Sequence, residues 1–241
     1  MPVSHPLLKR QPKRAGPAVT LLPKVPDLQL GLGRVHEVCG NARHRFAMWV
    51  GAQTAGPILW IAPSWHASQL MPCAVREVLD PARLLFVHTK RAEDVLWSVE
   101  ESLRAGAISL VIADLPGLPN LTEVRRMHLA AEQGGEISGH MPLGLLLTPG
   151  MGGAQGVETR WHLASDHSPG HQQWRLERLR ARMAPPRTWT LQRAQKHAPP
   201  CRSDHRPAAR KGRVKHTRIR QSPKTTRICR KTHDTAHPTG A

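Results

Sequence analysis

The sequence of 241 residues predicts an α/β fold, in which a mainly parallel central sheet is flanked by helices and extended by antiparallel strands at its C-terminal edge. Three observations lead to this prediction. Between residues 33 and 148, short apolar runs alternate with stretches of helical spacing, as in β-α-β units. After Pro149 short strand-like segments follow one another without helices, which favours antiparallel pairing. The strongly basic segments lie only at the two ends of the chain.

The apolar runs have the length and composition of strands that are buried on both faces. They are nearly continuous, rich in aliphatic and β-branched residues, and too short for buried helices. We therefore predict parallel strands at residues 35–38, 58–62, 84–88, 108–113 and 143–148.

Four helices are predicted between these strands, at residues 46–55, 64–79, 92–104 and 120–133. The third is the clearest, because its apolar residues recur on one face and Gly106 supplies a C-terminal stop. Ser64 is a candidate N-cap of the second helix and Asn120 of the fourth. The fourth helix is expected to end at the pair Gly134 and Gly135.

The segment after Pro149 begins with a glycine-rich loop over residues 150–156. Strands are predicted at 157–163, 174–179 and 188–191, with a turn at 165–170 between the first two. Trp161, Trp174 and Trp189 lie on these strands and are interpreted as core residues that pack across paired strands.

The positive charge is concentrated outside the predicted fold. Of the formal net charge of +18, residues 1–26 carry +5 and residues 196–241 carry +11, which leaves +2 for residues 27–195. All seven Trp and both Phe lie in that middle segment. We therefore predict a basic flexible N-terminal segment (1–26), an α/β domain (27–195) and a disordered basic tail (196–241), because a tail without large apolar residues cannot offset its ordering entropy.

Composition also excludes several classes of protein. No run of 18 apolar residues is present, so a membrane span is not expected, and the N-terminus does not resemble a signal peptide. The four cysteines are far apart and form no CxxC pair, which argues against a disulfide scaffold and favours a cytoplasmic protein.

A degraded phosphate loop follows the first predicted strand. A functional loop reads GxxxxGK[ST], and aligning it from Gly40 places Arg45 at the second glycine, Phe46 at the lysine and Ala47 at the hydroxyl residue. The arginine restricts the turn, the phenylalanine supplies no cation, and the alanine cannot hold Mg²⁺. Phosphate binding by Arg43 or Arg45 is an alternative, but it would leave the metal unheld. We therefore expect neither ATP hydrolysis nor a cofactor, with bound ATP and Mg²⁺ as the alternative.

Asp114 ends an apolar strand, at the position where ligand crevices form in parallel sheets. This pattern is typical of the metal-binding aspartate of nucleotide-hydrolysing proteins. An aspartate that caps the following loop is the alternative interpretation.

Residues 33–40 resemble the strand that leads into the phosphate loop of bacterial RecA recombinases. Residues 93–114 resemble the segment from the RecA catalytic glutamate to its Walker B aspartate. The resemblance implies a RecA-like P-loop NTPase fold, with that glutamate at Glu93 and that aspartate at Asp114. Because the phosphate loop is degraded, these positions are expected to be vestigial.

Three segments resemble the ImuA family, the RecA-like proteins of translesion-synthesis operons. They are residues 36–38, the helix 125–132 and the late strands 159–163 and 174–180, and the resemblance covers about residues 28–192. It implies a non-catalytic accessory role in damage-induced (SOS) translesion DNA synthesis. The implied partners are an ImuB-like polymerase adaptor and an error-prone DNA polymerase, with RecA as a further candidate, in a cytoplasmic and nucleoid-associated protein. The alternatives are a DNA-dependent P-loop ATPase of recombination or repair and a general basic DNA-binding protein.

The basic tail is a candidate nucleic-acid-binding segment, because closely spaced cations neutralise phosphates without reading sequence. The alternative is a solvated extension without such a role. The candidate residues are Arg210, Lys211, Arg213, Lys215, Arg218 and Arg220.

Two further sets of residues could form functional sites. Cys201 with His205 and Cys229 with His233 share one spacing, but chance pairing explains this better than zinc, so no metal site is predicted. The histidines beside strand ends have no carboxylate partner apparent in the sequence and are interpreted as structural or solvent-facing. These histidines are His36, His44, His66 and His88.

Overall fold

A computed structural model describes residues 16–22, 25–66, 70–169, 171–182, 184–193 and 218–220. The elements in chain order are β1 (Ala18–Thr20), β2 (Gln29–Gly31), β3 (Val35–Cys39), α1 (Arg43–Gln53), β4 (Ile58–Pro63), α2 (Pro72–Arg76), a 3-10 turn (Pro81–Arg83), β5 (Leu84–Thr89), α3 (Ala92–Ala105), β6 (Leu110–Asp114), α4 (Leu121–Ser138), β7 (Leu143–Leu147), β8 (Thr159–Ser165), β9 (Gln173–Ala181), β10 (Arg187–Gln192) and β11 (Arg218–Arg220).

The central sheet has nine strands in the order β11-β10-β9-β8-β3-β7-β6-β4-β5. Pairing is parallel from β8 through β3, β7, β6 and β4 to β5. Pairing is antiparallel between β8 and β9, β9 and β10, and β10 and β11. The predicted α/β fold with a mainly parallel sheet and antiparallel strands at one edge is confirmed.

Each face of the sheet has its own core. One face packs against α1 and the N-terminal segment and buries Phe46, Trp161 and Trp189. The other packs against α3 and α4 through residues such as Leu103 and Met127. The interpretation of the late tryptophans as core residues is therefore confirmed. No helix in the described part of the chain is long and apolar enough to cross a membrane.

Helix α4 begins as predicted but ends later than expected. Asn120 accepts hydrogen bonds from the N–H groups of Thr122 and Glu123, and the Glu123 carboxylate accepts one from the Asn120 N–H in return. The helix continues through Gly134 to Ser138, and Gly134 lies where α4 closely approaches α3. A Cβ atom at Gly134 would lie 1.9 Å from the Leu103 carbonyl oxygen.

The predicted helix 64–79 is wrong for most of the residues described. Within it the structure forms only the short α2, which starts at Pro72 because proline fits the first helical position. Ser64 caps no helix, because it lies in a turn, and its N–H is bonded to the carbonyl of Thr89 at the end of β5. Residues 67–69 lie outside the described part of the chain.

The folded unit begins before the predicted boundary at residue 27. Strands β1 and β2 pair antiparallel, and Leu21 and Val25 between them are buried in the core. The basic, proline-rich composition of residues 1–26 concealed this short hairpin. At the other end, β11 pairs with β10, and the rest of the segment 196–241 lies outside the described residues.

Candidate functional site

Asp114 lies at the carboxyl end of β6 and is 1% exposed. Its Oδ2 atom lies 2.7 Å from His44 Nε2 and 3.2 Å from His66 Nδ1. Its Oδ1 atom lies 3.5 Å from Arg43 Nη2. Two imidazoles and a guanidinium therefore surround the carboxylate at the edge where ligand crevices form in parallel sheets.

These partners of Asp114 lie just after the carboxyl ends of two other strands, β3 and β4. Arg43 and His44 occupy the first turn of α1, which follows β3 after only Gly40, Asn41 and Ala42. His66 follows the end of β4, the neighbour of β6 in the sheet. The parallel arrangement thus brings side chains that are far apart in sequence onto one carboxylate.

The pKa of the Asp114 carboxyl is lowered. Burial opposes its ionisation, but the hydrogen bond from His44 and the positive charges of His44, Arg43 and His66 outweigh this effect. The carboxylate is consequently held in its ionised form by side chains of this chain.

The interpretation of His44 and His66 as histidines without a carboxylate partner is wrong. Both face Asp114, which lies 70 residues from His44 in sequence, so no local pattern could reveal the contact. His36 does match the structural interpretation, since it is fully buried and its ring nitrogens contact Thr159 Oγ1 and the Gly31 carbonyl oxygen.

The connection between β3 and α1 leaves no cradle for a phosphate group. The Gly40 N–H is bonded to the Gly150 carbonyl and the Ala42 N–H to the Leu163 carbonyl. Gly40 has a φ of +93°, and a Cβ atom there would lie 2.4 Å from the Leu163 carbonyl oxygen. Protein carbonyl groups already accept from the N–H groups of Gly40 and Ala42, and protein atoms fill the space beside Gly40. The residues present therefore do not fit the phosphates of ATP.

The other positions of the aligned phosphate loop lie away from Asp114. Phe46 and Ala47 are fully buried, and the Phe46 ring packs 6.0 Å from that of Trp161. Arg45 lies with its guanidinium carbon 5.8 Å from the centre of the Trp174 ring. Phe46 and Arg45 therefore join α1 to the antiparallel half of the sheet.

Glu93 also lies apart from this cluster. It is in the first turn of α3, with a side chain that is 70% exposed and 3.7 Å from Arg91. It lines a groove of about 180 Å³ between α3 and α4, together with Trp97 and Arg126. Among the described residues, the ionic partners of Asp114 are Arg43, His44 and His66, and the structure does not bring Glu93 to it.

A second buried carboxylate, Glu37, was not among the residues predicted from the sequence. It is fully buried on β3, forms an ion pair with Arg160 and accepts hydrogen bonds from Thr148 Oγ1 at 2.8 Å and the Gly153 N–H at 2.7 Å. An acidic residue inside an otherwise apolar strand was the signal that could have revealed it. Glu37 holds the glycine-rich loop 150–156 against the sheet.

The remaining candidates lie largely outside the described residues. Arg218 and Arg220 are placed on β11. The segments that are not described contain both Cys-His pairs of the tail and the other four candidates, Arg210, Lys211, Arg213 and Lys215. Within the ranges that are described, no group of three or more His, Cys, Asp or Glu residues is arranged to hold a metal ion.

No family model matches this chain, and no curated protein matches it. Among solved structures, SulA from Pseudomonas aeruginosa is similar over 40% of this chain and 73% of its own length, with 25% sequence identity and a TM-score of 0.33. A likeness at this TM-score supports no inference, so no property of SulA is transferred to this chain.

Proposed function

We propose that this chain is a RecA-like protein without ATPase activity that serves as an accessory factor in damage-induced translesion DNA synthesis. In this proposal it works in the cytoplasm at the nucleoid, through contacts with an ImuB-like polymerase adaptor and an error-prone DNA polymerase, and with RecA as a further candidate partner. The role and partners rest on the resemblance of residues 36–38, 125–132, 159–163 and 174–180 to the ImuA family.

The absence of ATPase activity is supported mainly by the carboxylate of Asp114, which is already in contact with side chains of this chain. In the RecA-like interpretation this residue corresponds to a metal-binding aspartate, yet here it is bonded to His44 and lies beside Arg43. Side chains of this chain thus make the contacts of the carboxylate, which supports a site without a metal-bound nucleotide. The blocked backbone donors of Gly40 and Ala42 support the same proposal.

The sheet supports the RecA-like part of the proposal. The resemblance implies a mainly parallel sheet with antiparallel strands at the C-terminal edge, and the order of β3 to β10 has this arrangement. The family-like segments 159–163 and 174–180 coincide with β8 and β9, whose register places Trp161 opposite Arg178 and Leu163 opposite Leu176.

The outer surface of α3 and α4 supports a role through protein contacts. Trp97, Leu129 and Ile137 on these helices are 61%, 64% and 66% exposed. Contiguous exposed apolar surface is typical of sites that bind other proteins, so these side chains are candidates for a partner contact.

Two measurements on the purified full chain test this proposal. We expect no ATP turnover with or without single-stranded DNA, and co-purification of the chain with an ImuB-like polymerase adaptor. Hydrolysis that is stimulated by DNA and abolished by Asp114→Asn would instead establish the DNA-dependent ATPase. Damage-induced mutagenesis that is unchanged on deleting the gene would contradict the accessory role.

A further inference from the structure

Strand β5 forms one edge of the central sheet. It pairs with β4 along its whole length, from Leu84 to Thr89, in a parallel register. On its other side, the strand has no partner within the ranges that the structure describes. An edge strand presents a row of unpaired N–H and C=O groups, so this side of β5 can accept a further strand.

The composition of β5 does not protect this edge. Edge strands are commonly protected from further pairing by charged side chains, by proline or by a bulge. The sequence Leu84–Thr89 contains no Asp, Glu, Lys, Arg or Pro, and its register with β4 is regular. Leu85 and Phe86 are 48% and 50% exposed and project to opposite faces of the sheet. Exposed apolar side chains on an unprotected edge are typical of a strand that is covered in an assembly.

The two ends of β5 carry opposite charges. The exposed Lys90 directly follows the strand, and the exposed Asp80 precedes the 3-10 turn that leads into it. Arg83 in that turn directs its guanidinium to the carbonyl oxygens of Gly51 and Gly56. Two copies of β5 that pair antiparallel bring the Lys90 end of each strand to the Asp80 end of the other, whereas a parallel pair brings like charges together. Charge complementarity therefore favours a second copy of this chain in antiparallel orientation.

We propose that the free edge of β5 pairs antiparallel with β5 of a second copy of this chain, around a two-fold axis at Phe86. Residues that lie opposite each other in paired strands share a face of the sheet. This register therefore places Phe86 opposite Phe86 of the second copy and Leu85 opposite Val87. Both exposed apolar side chains of the strand thereby gain an apolar neighbour, and the two sheets become one.

The size of the interface sets the expected strength of this dimer. A single pair of six-residue strands lies at the small end of specific protein interfaces. We therefore expect a reversible dimer with a dissociation constant on the order of 10 µM. The proposal does not rest on the translesion role proposed above.

The first test is sedimentation equilibrium of the full chain over a wide range of concentrations. Phe86→Lys should weaken the dimer by about tenfold or more, because an apolar contact is lost and two like charges meet at the axis. The matched control is Leu129→Lys, which replaces a 64% exposed apolar residue on α4, over β3 and β7 and away from β5. This control should change the dissociation constant by less than about threefold. Far-ultraviolet circular dichroism verifies that each variant is folded.

The second test determines the register by cross-linking and does not need the lysine variant to fold. It uses a chain in which Cys73, Cys201 and Cys229 are replaced by serine, while Cys39 is buried. Phe86→Cys places two thiols directly opposite each other, within reach of a disulfide. Leu85→Cys has nearly the same exposure but places the thiols diagonally, with Cα atoms more than about 7 Å apart. Oxidation with diamide should therefore give a covalent dimer for Phe86→Cys and much less for Leu85→Cys.

Three results would overturn the proposal. They are a chain that stays monomeric at every concentration, equal weakening of the dimer by Phe86→Lys and Leu129→Lys, and cross-linking by Leu85→Cys that equals or exceeds that by Phe86→Cys. Neither ATP turnover nor the polymerase adaptor enters these measurements, so failure here is distinguishable from failure of the proposed function.

Discussion

Arg160 on β8 forms an ion pair with Glu37 on the neighbouring parallel strand β3, and the carboxylate of this pair is fully buried. The same carboxylate accepts hydrogen bonds from Thr148 and from the N–H groups of Gly153 and Ala154. One buried charge therefore ties together β3, β8 and the loop that precedes β8.

The first prediction concerns this ion pair. Arg160→Ala leaves the Glu37 charge buried without its partner, so we expect the free energy of unfolding to fall by about 3–5 kcal/mol. Urea unfolding followed by circular dichroism measures the change. The matched control is Arg182→Ala, whose side chain is 73% exposed and 3.8 Å from Glu158, and which should cost at most about 1 kcal/mol. Equal destabilisation of the two variants would show that Glu37 does not depend on Arg160.

The second prediction concerns the contact between α3 and α4. A Cβ atom at Gly134 would lie 1.9 Å from the Leu103 carbonyl oxygen, so the helices must separate to accept Gly134→Ala. We expect the free energy of unfolding to fall by about 1–3 kcal/mol, despite the higher helix propensity of alanine. Gly117→Ala is the control, because no atom lies within 4 Å of its Cβ position. Urea unfolding compares the two, and a Gly134→Ala protein as stable as Gly117→Ala would refute the close packing.

The third prediction concerns the stability of the protein in acid. Burial lowers the pKa of His36 from 6.5 to about 4. The unfolded chain binds a proton at this residue near pH 6.5, whereas the folded chain resists protonation until about pH 4. The free energy of unfolding that depends on His36 therefore has its full value above pH 6.5. It falls by about 3 kcal/mol as the pH is lowered from 6.5 to about 4.

His36→Gln tests this assignment, because glutamine does not titrate. The difference in unfolding free energy between the variant and the unmodified chain should narrow by about 3 kcal/mol from pH 7 to pH 4. Burial also lowers the pKa of His128, whose charge is one of the causes of the low pKa of His36. A difference that stays constant across this pH range would rule out His36 as the titrating group.

The fourth prediction concerns the hydrogen bond between His44 and Asp114. The bond favours the ionised carboxylate, so His44→Ala should raise the pKa of Asp114. Nuclear magnetic resonance of the carboxyl carbon during an acid titration measures this pKa directly. His88→Ala, which removes an exposed histidine from β5, should leave it unchanged. If His44→Ala leaves it unchanged as well, Arg43 and His66 alone hold the carboxylate in its ionised form.

The sequence by itself determined the elements whose signals are local. The strands predicted between residues 35 and 192 lie within about two residues of those observed, because an apolar run between turn residues is sufficient to identify them. Burial on both faces was wrong for β5, because this strand lies at the edge of the sheet and exposes Leu85 and Phe86. Asn120 and Gly106 marked a helix start and a helix end correctly, since capping depends on the adjacent backbone. The residue types at Phe46 and Ala47 also showed that this segment lacks the lysine and hydroxyl residue of the GxxxxGK[ST] pattern.

Only the tertiary structure decided which distant residues meet. The order of the strands placed His44 and His66 on Asp114 and Arg160 on Glu37, and no periodicity in the sequence encodes these contacts. Gly134 is locally typical of a helix stop but is a packing position, because its role depends on the neighbouring helix α3. The edge strand β11 has no apolar pattern of its own and takes its place by hydrogen bonding to the exposed backbone of β10. Local sequence sets backbone preference and capping, whereas contacts across the sheet arise only when strand order brings remote side chains within bonding distance.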